Sequence, residues 1–177
     1  NIEPPANTTK AYKLFKTDKD GGLHPLFVEH LEGNPLPLNK WIKAEAGEIN
    51  PRTGKVKSDI GDLAYRPGFH SGDMPMATHI GGKMNPKTGK RKFKPNMRED
   101  NQVWAEVEVG NDVDWQSVAN SRASVVKSGP NKGKLNTQQA QIQDQIPEGG
   151  HYRYKTNPNM TGNWLIGGEV KINKVLN

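Results

Sequence analysis

The stretch NQVWAEVEV, residues 101–109, alternates apolar and polar side chains without interruption. One face of the predicted strand carries Val103, Ala105, Val107 and Val109, and the other carries Trp104, Glu106 and Glu108. A period of two is typical of a strand with one face on the core. The chain is therefore expected to build its core on a sheet to which this segment contributes a strand.

Shorter segments on both sides extend the same pattern. Residues 11–28 predict two strands joined at DKDGG, residues 151–154 and 136–146 each predict a strand, and residues 164–176 predict one or two strands around Gly167–Gly168. Helices are expected at 37–46, capped by Gly47, and at 114–126, with Asp114 as N-cap. The predicted class is α+β, a mostly antiparallel, curved sheet with few short helices and long loops.

Composition limits the size of the core. Hydrophobic residues make up only 32% of the 177 residues, and 19 glycines and 13 prolines predict many turns. The chain has no cysteine, which excludes disulfides, thiol catalysis and zinc–thiolate sites. No apolar run reaches the roughly 18 residues of a membrane span, so no membrane association is expected. The class of protein indicated is a loop-rich globular domain.

Domain organisation follows from the ends of the chain. Residues 1–10 are polar and contain two prolines, which predicts a linker-like segment, and residues 11–177 are expected to form a single α+β domain. Both ends look cut, so we expect the domain to be part of a larger polypeptide.

Charge favours an anionic partner. The net charge of +6 is typical of proteins that bind nucleic acid or an anionic small molecule, although many proteins of this charge bind neither. NPRTGK (50–55) and NPKTGK (85–90) repeat one basic turn motif, and SGPNKGK (128–134) resembles it. The motif is expected either to contact phosphate or to form ordinary exposed hairpin tips. Its candidate nucleic-acid-binding residues are Arg52, Lys55, Lys87 and Lys90.

A second candidate nucleic-acid surface lies near the C-terminus. Tyr152, Arg153, Tyr154 and Lys155 combine aromatic and basic side chains, which can stack on single-stranded bases. Alternating tyrosines in a strand also occur as ordinary sheet packing. The sequence leaves both interpretations open.

The loop LAYRPGFHSGDMPMATHIGG (63–82) concentrates the chemistry-bearing side chains. Arg66, His70, Asp73 and His79 lie on a segment stiffened by proline and glycine, which suits a general acid–base site. They could equally satisfy backbone groups of the loop itself. The spacing H-x2-D-x5-H matches no common zinc motif, so no metal is expected. Phosphate-loop and G-x-S-x-G motifs are absent from the sequence.

The alternating strand at 101–109 supplies a pair of carboxylates on one face. Glu106 and Glu108 could stabilise an oxocarbenium-like centre in glycosyl or ADP-ribosyl transfer. They could also form an exposed acidic face of the sheet.

Three segments resemble a known kind of domain: GDLAYRPGFHSGDMPMATHIGG (61–82), DNQVWAEVEVGNDVDWQSVAN (100–120) and GGHYRYKTNPNMTGNWLIGGEVKINKVL (149–176). They are similar to a domain of unestablished activity in large proteins of bacteriophages, prophages and other mobile elements of gut bacteria. The resemblance implies an accessory or effector role, in the bacterial cytoplasm or delivered with a phage or mobile element.

The layout also resembles, more distantly, the ADP-ribosyltransferase fold. That resemblance implies NAD as a possible cofactor, with Arg66 or His70 holding the dinucleotide. Glu106, Glu108 or Glu169 would be the catalytic glutamate. In a site of this kind, His70 with Asp73 or His79 would shuttle a proton. The resemblance places Tyr65, Arg66, Trp104 and Trp164 around the cofactor. The sequence departs from the family because no Ser-Thr-Ser element follows Arg66 and the Glu-x-Glu pair comes early.

Overall fold

The computed structural model describes residues 3–25, 34–44, 48–54, 57, 68–75, 86–88, 101–122, 124–136, 146–154 and 162–176. Its strands are β1 (Thr8–Thr17), β2 (Leu23–His24), β3 (Trp41–Lys43), β4 (Phe69–Gly72), β5 (Gln102–Gly110), β6 (Val113–Asp114), β7 (Ser124–Val125), β8 (Leu135–Asn136), β9 (Gly150–Tyr154), β10 (Trp164–Gly167) and β11 (Glu169–Val175); α1 is Gln116–Arg122. The sheet-dominated fold is confirmed. Most of the predicted strand at 136–146 lies outside the described residues.

The predicted alternating strand is the centre of the sheet. β5 pairs antiparallel with β1 along its whole length and with β11 on its other side. Val107 and Val109 are fully buried, whereas Glu106 and Glu108 on the opposite face remain partly accessible. Because β1 and β11 both pair with β5, segments near the two ends of the chain belong to one sheet.

The sheet is strongly curved. Its order is β3-β11-β5-β1-β4-β10-β9-β6, with β2 beside β1 and only β6–β9 parallel among these pairs. β10 and β11 are separated in sequence by Gly168 alone, yet β5, β1 and β4 lie between them in the sheet. The sheet must therefore curl until the two strands meet at that glycine. A side chain on Gly167 would lie 3.2 Å from Val109 Cγ1, which shows how closely the curled strands approach.

The main core fills one side of this curved sheet. Its buried members are Ala11, Phe15, Leu23, Leu36, Ala105, Val107, Val109, Leu165, Val170 and Ile172. A second cluster lies under α1 and consists of Ala119, Ile146, Tyr152, Tyr154 and Ile166, with Trp115, Val118 and Trp164 packed against it. The helix therefore covers the part of the sheet formed by β9 and β10.

The helix predicted at 37–46 is wrong. Residues 41–43 form β3, which pairs antiparallel with β11 and aligns Ile42 with Val170. The local pattern of Trp41, Ile42 and Ala44 fitted a helix, but an open edge of the sheet offered backbone hydrogen bonds and a buried position. Tertiary pairing overrode local propensity here.

The helix predicted at 114–126 is confirmed but shorter. Asp114 Oδ1 accepts the Gln116 amide at 2.8 Å, so the predicted acid does satisfy an amide at the helix start. α1 ends at Arg122, because Ser124 and Val125 pair with residues 135–136 in a two-stranded ribbon.

The start of the chain joins the sheet earlier than expected. β1 begins at Thr8, and Asp112 accepts the amides of Ala6 at 2.6 Å and Asn7 at 2.7 Å. Part of the segment predicted as linker-like is thus fixed to the end of β5. The predicted hairpin at 11–28 is confirmed through β1 and β2, where Asp18 accepts the amides of Asp20 and Gly22.

Candidate functional site

His70, the centre of the predicted acid–base site, lies on β4 and is half-buried. Its ring meets Tyr154 edge-on, with centroids 6.2 Å apart. Tyr12 on β1 pairs with Gly72 on one side and with Glu106 on the other. His70 and Glu106 therefore lie on strands separated by β1, about 10 Å apart at two strand spacings. The fold does not bring this histidine and this carboxylate together.

Asp73 is used by the structure itself. Its Oδ1 accepts the Asn163 amide at 2.9 Å and its Oδ2 accepts Asn163 Nδ2 at 3.1 Å. The Asp73 amide in turn donates to the Asn163 carbonyl. The carboxylate therefore fixes the start of β10 to the end of β4, which explains its place directly after Gly72, the last residue of β4.

The two glutamates of β5 are paired with basic and polar side chains. Glu106 lies 3.5 Å from Lys10 Nζ and accepts Asn173 Nδ2 at 3.2 Å. Glu108 lies 2.9 Å from Lys171 Nζ, whose hydrogen bond is the main cause that lowers the pKa of that carboxyl. This face is a ladder of opposite charges across three strands, and so differs from the exposed acidic face that was the alternative prediction.

The residues placed around NAD by resemblance lie apart where they are described. Trp104 is 5% exposed on β5, and Trp164 is on β10, with β1 and β4 between them. Tyr65, Arg66 and His79 lie outside the described residues. The tryptophans thus offer no shared wall for a cofactor.

The stacking surface predicted at 152–155 needs correction. Tyr152 and Tyr154 are 2% and 4% exposed because their rings pack under α1, so neither presents a face to a base. Arg153, on the other side of β9, is exposed. Lys155 lies outside the described residues.

Residues 50–54, the described part of the first basic motif, form a tight turn. Asn50 accepts the amides of Thr53 and Gly54 through its carbonyl and that of Arg52 through its side chain. Gly54 has φ +69, a left-handed conformation that favours glycine. Arg52 is exposed at this tip, which fits the prediction of an exposed turn. Lys87 is exposed in a second turn at 86–88, and Lys55 and Lys90 lie outside the described residues.

The looser copy of the motif forms the end of a ribbon. Val126 donates to the Lys134 carbonyl and accepts from the Gly133 amide, so residues 126 and 133–134 pair across the ribbon. Gly129 and Gly133 have φ +86 and +88, which turns the chain twice within six residues. Lys127, Lys132 and Lys134 are all exposed at this end. We call residues 124–136 the basic ribbon.

A group of residues that the sequence did not single out lies where β5 ends. A side chain on Gly110 would lie 2.7 Å from Gly149 Cα and 3.0 Å from Glu169 Oε1. His151 Nδ1 lies 2.8 Å from the Gly110 carbonyl oxygen. The lack of a side chain at Gly110 thus lets β9 and β11 converge on the end of β5.

Glu169 is a fully buried carboxyl at this point. It is 0% exposed, and neither oxygen forms a well-aligned hydrogen bond within the described part of the chain. Burial raises the pKa of this carboxyl, the Gly149 amide opposes the rise, and the negative charges of Glu148 and Asp112 add to it. In the sequence, Glu169 is a candidate site residue only through the resemblance to the ADP-ribosyltransferase fold, because no local pattern indicates that a glutamate is buried.

His151 is held in one tautomer. A carbonyl oxygen can only accept a hydrogen bond, so Nδ1 carries the proton and donates a hydrogen bond to the Gly110 carbonyl. Nε2 then presents its lone pair, and it has no hydrogen-bond partner among the described residues. Burial lowers the pKa of the imidazole, helped by Arg153 and opposed by the Gly110 bond and by Asp114. A neutral histidine of this kind suits proton abstraction.

Lys13 is a second residue that the sequence did not reveal. Its Nζ donates to the His70 carbonyl at 2.6 Å and lies 5.7 Å from the Phe15 ring and 6.0 Å from the Phe69 ring. Burial lowers the pKa of Lys13 to about 8. β1 and β4 share a single paired position, Tyr12 with Gly72, and Lys13 bridges the strands beyond it.

The described residues include no cluster of three acidic or histidine side chains close enough to hold a metal ion. No helix within the described ranges has the length and apolarity of a membrane span. Comparison of the chain with protein-family models, with curated proteins and with solved structures finds no match. The chemistry of the described side chains is therefore the basis for assigning a function.

Proposed function

We propose that the protein is a nucleic-acid-binding module that contacts phosphates through its basic ribbon. From Trp115 to Gln143 the sequence contains no aspartate or glutamate and four basic residues: Arg122, Lys127, Lys132 and Lys134. The three lysines are exposed, and none forms an ion pair in the part of the chain that the structure describes. These three exposed lysines, without an ion pair among the described residues, are the observation that carries the proposal, because binding to a phosphate backbone rests on lysine and arginine contacts.

The shape of the ribbon supports the same function. Lys132 and Lys134 flank Gly133, and Lys127 follows Val126 on the opposite side of the ribbon. Paired residues in an antiparallel ladder lie about 5 Å apart, so the backbones of the three lysines share one end of the ribbon. A two-stranded ribbon is also narrow enough to enter a nucleic-acid groove. Arg52, on the first basic turn, is a further candidate contact.

The test is equilibrium binding of fluorescent RNA and DNA between about 50 and 200 mM salt. Replacing Lys132 and Lys134 by glutamate should weaken binding. It should also reduce the magnitude of the log–log salt slope by about 1.4, or about 0.7 per lost contact on a single strand. The matched control replaces Lys19 and Lys40, which are exposed elsewhere, by glutamate and so changes the net charge equally.

Two results would contradict the proposal. One is equal loss of binding in both double variants, since net charge rather than the ribbon would then govern affinity. The other is equally strong competition by polyglutamate, which would indicate an acidic protein surface as the partner.

The wider context is also a proposal. The resemblance of three segments to phage and mobile-element domains favours a module of such a protein, and α1 beside the sheet is compatible with the α+β class. NAD-dependent ADP-ribosyl transfer is the alternative. It is less favoured because His70 and Glu106 lie on strands separated by β1 and Asp73 is bonded to Asn163.

A further inference from the structure

His151 and Arg153 lie on the same side of β9. They are two residues apart in a strand, so their Cα atoms are about 7 Å apart and their side chains point to one face. Arg153 is exposed, and its guanidinium forms no hydrogen bond or ion pair within the residues that the structure describes. A cation without a partner thus stands beside an imidazole whose Nε2 lone pair is available.

The backbone of Arg153 is held through both its amide and its carbonyl. Gln116 Nε2 donates to the Arg153 carbonyl at 3.0 Å, and Gln116 Oε1 accepts the Arg153 amide at 2.8 Å. Asp114, which pairs with His151 across β6 and β9, accepts the Gln116 amide at 2.8 Å. The imidazole and guanidinium are therefore presented from a strand whose position is set by the start of α1.

The same helix joins this strand to the basic ribbon. Gln116 begins α1 and Arg122 ends it, which is about 10 Å along the helix axis. Tyr152 and Tyr154 pack under α1, so His151 and Arg153 face the other side of β9. An RNA strand bound at the ribbon must therefore pass the edge of β9, where Gln116 lies, to bring a phosphate to Arg153.

We propose that the protein cleaves RNA, with His151 as the general base and Arg153 as the phosphate contact. This inference rests on the proposed nucleic-acid binding and names RNA as the substrate. RNA carries its own nucleophile, the 2′-hydroxyl, and needs only a base near that group and a cation near the phosphate.

The step balances without a co-reactant. His151 Nε2 takes the proton of the 2′-hydroxyl, the 2′-oxygen forms a bond to phosphorus, and the bond from phosphorus to the 5′-oxygen breaks. The leaving 5′-oxygen takes a proton from water, and the imidazolium returns its proton to the hydroxide so formed. The products are a 2′,3′-cyclic phosphate and a 5′-hydroxyl, and Arg153 stabilises the negative charge on the non-bridging phosphate oxygens in the transition state.

The decisive variant is His151→Asn. The asparagine side-chain amide can keep the hydrogen bond to the Gly110 carbonyl in place of Nδ1, but it has no base in place of Nε2. The control is His24→Gln, which alters a histidine paired with Asp18 at 2.8 Å in the β1–β2 hairpin. Thermal melting of both variants checks that each folds.

The experiment uses the full chain with a fluorescent RNA and with the same sequence as 2′-O-methyl RNA, both in EDTA. The expected result is binding of both and cleavage of RNA alone, leaving 2′,3′-cyclic phosphate ends. His151→Asn should lower the cleavage rate about 100-fold or more, the usual contribution of a general base, with affinity for 2′-O-methyl RNA unchanged. Arg153→Met should lower both rate and affinity, and His24→Gln neither.

The outcomes separate the two proposals. Binding of 2′-O-methyl RNA with no cleavage of RNA overturns this inference and leaves the proposed function standing. Cleavage by His151→Asn at the wild-type rate overturns the role of His151. Failure to bind either oligonucleotide, or DNA of the same sequence, at low salt overturns the proposed function itself.

Discussion

The Nδ1 of His151 and the carbonyl oxygen of Gly110 lie 2.8 Å apart, although 41 residues separate them in the sequence. This contact joins the start of β9 to the end of β5, at the point where the curved sheet brings β9 and β11 together. It also fixes which nitrogen of the imidazole is free. The contact that joins β9 to the end of β5 thus also leaves Nε2 as the unprotonated nitrogen of His151.

The tautomer of His151 can be observed directly. We expect long-range ¹H–¹⁵N NMR spectra at neutral pH to show Nδ1 protonated and Nε2 unprotonated. The pKa should lie below the ordinary value of 6.5 because burial disfavours the charged ring. The histidine of the β1–β2 hairpin, His24, serves as an internal comparison. A predominantly Nε2-protonated His151 would contradict the hydrogen bond to Gly110.

Gly110 should tolerate no side chain. We expect Gly110→Ala to lower the free energy of unfolding by about 1–3 kcal/mol, the usual cost of overpacking, because the new methyl would meet Gly149 Cα at 2.7 Å. Gly72→Ala is the matched control within a strand, since its nearest contact would be 3.3 Å away, and it should cost less. Urea denaturation measures both. Equal costs for the two variants would mean that the close approach of β5 and β9 is not rigid.

The buried carboxyl of Glu169 makes stability depend on pH. The pKa of Glu169 in the folded state is raised above 4.5, its ordinary value in the unfolded chain. At pH values between 4.5 and the folded-state pKa, the folded state therefore binds more protons than the unfolded chain. The free energy of unfolding should therefore fall as pH rises through that window. Glu169→Gln should remove this fall and be more stable than wild type at neutral pH. Glu148→Gln, at an exposed neighbour, should change the pH dependence of stability much less than Glu169→Gln does. Identical pH profiles for wild type and Glu169→Gln would contradict the account.

Lys13 gives the opposite dependence at high pH. Its pKa is lowered from 10.5 to about 8, so between these values the unfolded chain binds a proton that the folded state does not. Stability should rise with pH across this range, and Lys13→Met should abolish the rise. Lys10→Met, at a lysine whose side chain is 61% exposed, should preserve it. Urea midpoints measured from neutral pH to about 10 test this, and a flat wild-type profile would refute the lowered pKa.

The sheet could be predicted from the sequence where one strand buries one face. The period of two at 101–109 identified β5, which spans Gln102–Gly110. The prediction of one or two strands around Gly167–Gly168 is resolved as two strands, β10 and β11. The sequence predicts a helix at residues 41–43 because the local pattern does not show that β11 has unpaired backbone groups at the sheet edge with which this segment can pair. Edge pairing depends on a strand more than 120 residues away.

The candidate site was harder to predict because it depends on curvature. The sequence drew attention to Arg66, His70 and Asp73 through their spacing, whereas the structure commits Asp73 to Asn163. His151 and Glu169 are isolated in sequence and acquire their properties only when Gly110 and Gly149 approach each other. The basic ribbon was visible in the sequence as a relative of the NP-basic-TGK turns.

The most direct test of the central claim is an NMR titration of the ¹⁵N-labelled protein with 2′-O-methyl RNA, which the proposed cleavage cannot consume. The amide signals of residues 124–136 should shift most, with those of β9 around Arg153 next, and the shifts should diminish as salt is raised. Shifts concentrated elsewhere with the ribbon unchanged, or no shifts at low salt, would contradict the assignment of the ribbon as a nucleic-acid-binding surface.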